Sequence, residues 1–114
     1  MRGDINISDK PTKLQIEGPK QVTPGEVDIF HCSTDASFPS VNLRWVLNGK
    51  LMEEGVETFT QEKNQETISI STFKSTMDGL ASEATLICFV EGMANELYKQ
   101  KLVKILGKLQ AKSH

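Results

Sequence analysis

The chain has 114 residues, which is enough for one domain. Thirteen basic and fifteen acidic residues leave a net charge of -2, which excludes the strongly basic surface of a nucleic-acid binder. Hydrophobic residues make up 38% of the chain, but no run approaches the ~18 apolar residues of a membrane-spanning helix. The first ten residues also lack the apolar centre of a signal peptide. Composition therefore predicts a small soluble domain that works through its surface or through one special site.

Short alternating segments separated by turn residues predict an all-β chain. Six of them read as strands: residues 13–17, 26–33, 41–47, 67–73, 84–90 and 97–106. The last fits a strand or a helix by pattern, and its hairpin context favours a strand. Residues 51–52 and 56–59 are weaker candidates. About seven short strands at regular spacing predict an antiparallel sandwich.

Turn signals and polar flanks set the expected boundaries. Asn48-Gly49 is the strongest short hairpin signal in the chain, because both central positions of a type I′ turn need a positive φ. Residues 1–10 are polar and residues 108–114 form a basic tail or linker. We therefore expect a flexible N-terminal segment at 1–10 and one folded domain at 11–107.

The two cysteines, Cys32 and Cys88, stand 56 positions apart. That spacing is too long for a redox CxxC pair, and the only histidines, His31 and His114, do not complete a zinc site. The pair is therefore either a disulfide or two buried thiols. A disulfide closing this loop would stabilise the fold by about 4 kcal/mol and would indicate an oxidising compartment.

A tryptophan between the cysteines suggests a fold family. Cys32, Trp45 and Cys88 each occupy an inward position of a separate predicted strand. The stretch 32–49, with its Ser-Phe-Pro, Leu-x-Trp and Asn-Gly elements, resembles constant-type or I-set-like immunoglobulin domains. It looks like the second-position domains of adhesion and costimulatory receptors of the nectin, nephrin and beaten-path kinds. The resemblance covers about residues 13 to 107.

The resemblance implies an immunoglobulin-like, two-sheet antiparallel sandwich of about seven strands. One inter-sheet disulfide would join Cys32 to Cys88, and Trp45 would pack against it. Two positions depart from the family pattern. Leu86 replaces the usual tyrosine two residues before Cys88, which argues against a variable domain or a muscle-type module. Asp28 stands where an apolar residue is usual, so either the strand bulges there or Asp28 lies at the wet end of the sandwich.

Residues for chemistry are sparse. His31 has the strand parity opposite to Cys32 and is expected to face solvent. The glutamates of the 53–66 stretch look like a solvated loop face rather than a catalytic pair. The sequence has no Gly-rich phosphate loop, no GxSxG and no HExxH. We predict that the protein is not an enzyme and uses no cofactor or metal.

Surface features suggest binding instead. If Trp45 and Cys88 face inward, then Val46, Ile87 and Phe89 face outward, with Arg44 beside them. Such a patch is either covered by neighbouring loops and lysine stems or forms a partner surface. The predicted partner is a protein, either a ligand, a second copy or an adjoining domain, and not nucleic acid or the membrane itself.

Three further signals are weaker. Lys99 and Lys101 share one face of the last strand; they either protect a sheet edge or contact a polyanion such as a glycosaminoglycan. Asn6-Ile7-Ser8 is an N-glycosylation sequon, and residues 2–4 form an integrin-type Arg-Gly-Asp tripeptide.

We predict an extracellular, non-catalytic recognition or adhesion module of a cell-surface receptor, which binds a protein or positions a neighbouring domain. Two alternatives stay open. The first is a secreted or antigen-receptor constant-type immune domain, and the second is an intracellular muscle-type module with reduced cysteines.

Overall fold

The computed structural model describes residues 10–38, 40–63, 65–77, 82–92 and 97–106. Within these ranges the chain forms nine strands and no helix. In chain order they are β1 (Leu14–Glu17), β2 (Gln21–Val22), β3 (Asp28–Thr34), β4 (Leu43–Leu47), β5 (Lys50–Met52), β6 (Val56–Lys63), β7 (Glu66–Ser75), β8 (Glu83–Val90) and β9 (Tyr98–Ile105).

The strands form two sheets. One has four strands in the order β1-β3-β7-β6, and the other has five in the order β2-β9-β8-β4-β5. Neighbouring strands are antiparallel except β2 and β9, which are parallel. Alternate side chains of both sheets form one buried apolar core between them. The all-β sandwich predicted from the sequence is confirmed.

A disulfide and one indole ring occupy the centre of this core. Cys32 of β3 is bonded to Cys88 of β8, with their Cα atoms 6.5 Å apart, so the bond joins the two sheets. Trp45 lies directly opposite Cys88 on the neighbouring strand, and all three residues are fully buried. The Trp45 ring stacks on Phe73, with ring centroids 5.5 Å apart. The predicted pairing and the buried tryptophan are both confirmed.

The polar atom of Trp45 has a buried partner. Its Nε1–H donates to Ser71 Oγ (2.9 Å), and the Ser71 hydroxyl donates in turn to the carbonyl oxygen of Glu57 (3.0 Å). This relay connects β4 in one sheet to β7 and β6 in the other. It also explains why a serine stands at a fully buried position of β7, since a buried indole N–H without a partner would destabilise the fold.

The strands differ from the predicted set in two places. The weak candidate at 56–59 is an eight-residue strand, β6, which pairs with β7 at every position. Most of its side chains are exposed, so backbone pairing rather than an apolar stripe defines it, and the sequence carries little signal for it. The two-residue strand β2 was not predicted; it forms where the chain after Gly18-Pro19 crosses to the other sheet.

The structure shows the predicted turn at Asn48-Gly49 and the place of Asp28, which the sequence left open. Asn48 and Gly49 both have positive φ (51° and 85°), which confirms the hairpin turn. Asp28 is the first residue of β3 and is half-buried at the end of the sandwich, and the β3–β7 register runs through it without a bulge. Among the described side chains its Oδ2 is buried without a hydrogen-bond partner.

Asp35 holds the incoming chain against the sandwich. Its carboxylate accepts hydrogen bonds from the backbone N–H of Thr12 (3.0 Å), the Thr12 hydroxyl (2.8 Å) and the backbone N–H of Lys13 (3.1 Å). Its own N–H donates to the carbonyl of Lys13 (3.2 Å). Partial burial raises the pKa of Asp35, but these hydrogen bonds outweigh it and hold the pKa below the ordinary value of 3.8.

We expect Asp35→Asn to lower the free energy of unfolding at neutral pH. A carboxyl whose folded pKa is depressed stabilises the fold above its unfolded value of 3.8, and that stability is lost as pH falls through the folded pKa. The difference between wild type and variant should therefore be constant near neutrality and shrink in acid. Urea denaturation at several pH values measures this difference in unfolding free energy. A difference that grows in acid would show that the Asp35 carboxylate does not stabilise the fold through its hydrogen bonds to Thr12 and Lys13.

We expect Trp45→Ala to cost about 3–5 kcal/mol of unfolding free energy, because it empties the centre of the core. Ser71→Ala should cost less, about 1–3 kcal/mol, since it leaves the indole in place but without its hydrogen-bond acceptor. Chemical denaturation measures both. A Trp45→Ala variant that melts within a few degrees of wild type would show that the ring does not hold the core together.

Candidate functional site

The outward-facing residues predicted for the strands at 41–47 and 84–90, which are β4 and β8, lie side by side in the structure. Arg44 stands opposite Phe89, and Val46 stands opposite Ile87, on the solvent side of the five-stranded sheet. All four are half-buried. Their predicted placement on one face is therefore correct, while their part in binding stays a prediction.

The two flanking strands extend this surface. Tyr98 lies beside Phe89 across the β8–β9 pair, and Leu51 lies beside Val46 across the β4–β5 pair. Leu51, Tyr98 and Leu102 are 45%, 52% and 56% exposed. The apolar outer face, as we call it, consists of Val46, Leu51, Ile87, Phe89, Tyr98 and Leu102.

Leu51, Tyr98 and Leu102 were missed from the sequence, although a signal for two of them was present. Tyr98 and Leu102 share one parity along β9, while the lysines that drew attention, Lys99 and Lys101, have the other. Leu51 lies on a three-residue strand, too short for alternation to show its direction.

Polar groups border the apolar outer face. The Arg44 guanidinium bonds to the Glu91 carboxylate at 3.2 Å, with 39% and 48% of the two side chains exposed. An ion pair this exposed contributes about 0–1 kcal/mol to stability. Both groups remain available to an incoming surface. On β9, the exposed Gln100 lies between Tyr98 and Leu102 and stands opposite Ile87, so one polar side chain lies within the face as well.

Lys99 and Lys101 lie on the other side of β9, as their shared parity predicted. They pair with Cys88 and Leu86, residues that face the core, but Lys99 is exposed and Lys101 is half-buried. Lys99 borders an open cleft of about 670 Å³ between β1 and β9, where Lys13 and the Asp35 carboxylate also lie. The cleft therefore combines charges of both signs.

Other predicted features lie outside the described residues: the sequon at Asn6, the tripeptide at 2–4 and the basic tail at 108–114. In the part of the chain that the structure describes, no group of three or more His, Cys, Asp or Glu side chains could hold a metal ion. The described residues also contain no helix long and apolar enough to cross a membrane. His31, predicted to face solvent, is exposed.

A family model for the CD80-like C2-set immunoglobulin domain matches residues 8–97, most of the chain. The chain belongs to that family. The family assignment agrees with the disulfide, the buried tryptophan and the two-sheet architecture. C2-set domains are typically non-catalytic. No curated protein matches the chain in sequence.

Solved structures share the fold at low sequence identity. The mouse nectin-like molecule 4 full ectodomain (Ig1–Ig3) matches with a TM-score of 0.68 and 20% identity over 83% of this chain and 34% of that chain. Rst D1–D2 matches with a TM-score of 0.70 and 14% identity over 86% of this chain and 49% of that one. IgNAR antibody domain C1 matches with a TM-score of 0.61 and 14% identity over 84% of this chain and 94% of that one.

The chain thus spans about a third of the nectin-like ectodomain and about half of Rst D1–D2. The resemblance to adhesion-receptor domains read from residues 32–49 is confirmed at the level of family and fold. A disulfide-bonded C2-set domain is consistent with an extracellular receptor ectodomain.

We expect Lys99→Glu combined with Lys101→Glu to change retention on immobilised heparin little. A cleft that holds an aspartate among its lysines offers weak attraction to a polyanion. Lys50→Glu with Lys74→Glu, on exposed lysines elsewhere, is the charge-matched control. A polyanion site would instead be established if wild type bound heparin strongly and in a salt-sensitive way, and if only the Lys99→Glu, Lys101→Glu double variant lost that binding.

Proposed function

We propose that this domain is a non-catalytic recognition module of an extracellular protein and that it binds a protein partner through the apolar outer face. The observation that carries the proposal is the position of that face. The solvent side of an antiparallel sheet ordinarily alternates polar residues with the buried ones. Here six apolar side chains from four adjacent strands share the solvent side.

The surface has the composition of a protein interface. Phe89 and Tyr98 lie together across β8 and β9, and aromatic residues are enriched where interfaces bury most. Arg44 and Glu91 lie beside them, and Gln100 lies between Tyr98 and Leu102 on β9, opposite Ile87; water can reach all three polar groups. An open sheet face with aromatic and aliphatic side chains, and with polar groups on and beside it, favours a protein surface over a small molecule.

Covering by the chain's own loops is the competing explanation, and exposure argues against it. Tyr98 and Leu102 are each more than half exposed, and lysine stems do not cover them. The same surface would suit an adjoining domain of the same protein, in which case the module positions its neighbour. A constant-type immune domain remains an alternative, supported by the fold shared with IgNAR antibody domain C1.

We expect Leu102→Lys and Tyr98→Ser to abolish most partner binding and to leave the melting temperature within a few degrees of wild type, since both side chains are largely exposed. Ile29→Lys is the matched control, because Ile29 is 43% exposed on the outer side of the other sheet. The measurement is binding of the immobilised chain to a panel of purified cell-surface ectodomains that includes the chain itself.

Phe89→Ser tests the centre of the same face. We expect it to reduce binding with little loss of stability. If binding survives all three face variants but is lost in Ile29→Lys, the face is wrong. If Phe89→Ser loses stability and binding equally, the loss of binding reflects unfolding and not a contact made by Phe89.

A further inference from the structure

A second exposed surface, separate from the apolar outer face, is an edge of the four-stranded sheet. Four strands end the two sheets: β1 and β6 in one, β2 and β5 in the other. Three of them are short, with four, two and three residues, whereas β6 has eight. Natural sheets commonly limit edge pairing by keeping edge strands short. β6 is the exception here.

The hydrogen-bonding phase of β6 determines which groups this edge presents. The Lys74 N–H donates to the Gly55 carbonyl (2.9 Å), and the β6–β7 register continues from that pair without interruption. In an antiparallel pair, bonded and non-bonded positions alternate. Glu57, Phe59 and Gln61 therefore bond to β7, while Val56, Thr58, Thr60 and Glu62 direct their N–H and C=O groups away from it.

Nothing in β6 interrupts that row. The strand contains no proline, and each of its residues pairs with one residue of β7, so it has no bulge. Residues 57–62 are all exposed, and Phe59, on the outer side of the sheet, is 48% exposed. An exposed, regular edge with an exposed aromatic residue is a template for another strand.

We propose that two copies of this chain associate by antiparallel pairing of their β6 strands, with Phe59 of each copy opposite Phe59 of the other. The two four-stranded sheets would then form one eight-stranded sheet across a two-fold axis. This proposal uses a surface separate from the apolar outer face and does not rest on the proposed function.

The sequence of β6 is complementary to itself in this register. Thr58 faces Thr60 of the second copy at hydrogen-bonded positions, which is the phase that the free edge presents. Glu57 faces Gln61 and Glu62 faces Val56, so no acid stands opposite another acid. Phe59 falls at a non-bonded pair, where opposing side chains approach most closely and aromatic pairs stabilise a sheet.

Other registers match less well. A shift by one residue puts bonded positions opposite non-bonded ones. A shift by two residues toward Gly55 places Glu62 opposite Glu54. The opposite shift, centred on Thr60, leaves Phe59 opposite Gln61 and removes the aromatic contact.

Neighbouring residues favour the Phe59-centred register further. Ile70 of β7 lies beside Phe59 on the same side of the sheet. Pairing the two edges would therefore align Ile70, Phe59, Phe59 and Ile70 as one apolar strip across the joined sheets.

Thr60→Pro tests the edge directly. Its N–H points away from β7, so a proline there should leave the monomer folded, while removing one donor from each copy at the new pair. We expect wild type to show a monomer–dimer equilibrium in sedimentation velocity over micromolar to millimolar concentrations. The dissociation constant of the variant dimer should be at least about tenfold higher than that of wild type. Leu102→Lys, on the apolar outer face, is the control and should dimerise like wild type.

Cysteine substitutions test the register independently of proline. The structure describes both native cysteines as bonded to each other, so neither competes. Cα atoms of a non-bonded antiparallel pair lie about 4.5 Å apart, within disulfide range. Phe59→Cys should therefore give a covalent dimer under mild oxidation, and Thr60→Cys should not.

The outcomes separate the two proposals. A chain that is monomeric at every concentration overturns edge pairing, as does a dimer that Thr60→Pro leaves intact. A dimer lost only in Leu102→Lys overturns edge pairing and supports the apolar outer face. A covalent dimer from Thr60→Cys alone overturns the Phe59-centred register.

Discussion

The covalent bond between Cys32 and Cys88, with Trp45 against it, is the constraint on which the rest of the structure depends. It joins one strand from each sheet at the middle of the core. Because side chains alternate along a strand, the inward direction of these three residues determines the direction of their neighbours. Arg44, Val46, Ile87 and Phe89 face solvent for that reason alone.

The sequence predicted most where a residue type carried its own geometry. Two cysteines and a tryptophan marked inward positions, and Asn48-Gly49 marked a turn with positive φ. The sequence predicted least where contacts with distant parts of the chain decide the local structure. β6 has no apolar stripe, and its eight residues become a strand only because β7 lies beside it. The Asp35 clamp joins residues more than twenty positions apart, and no local pattern indicates such a contact.

The apolar outer face shows the same difference between what residue type predicts and what strand pairing decides. Half of the apolar outer face followed from strand parity around Trp45 and Cys88. The other half, on β5 and β9, required the register between strands, which brings Leu51 to Val46 and Tyr98 to Phe89. On β9, the lysines at 99 and 101 drew attention, whereas Tyr98 and Leu102, which have the opposite parity, were missed. A sheet face is a two-dimensional object, and one strand read alone shows only a single row of it.

The hydrogen bond from Trp45 to Ser71 has a consequence for which way β7 faces. One side of the strand carries Ile68 and Ile70, whereas the side that faces the core carries Ser69, Ser71 and Phe73. The structure buries the serines, and Trp45 requires one of them as an acceptor. Turning the strand over would leave an orphaned donor at the centre of the molecule. The hydrogen bond to Ser71 and the stacking of Phe73 on Trp45 therefore act together in selecting this orientation of β7.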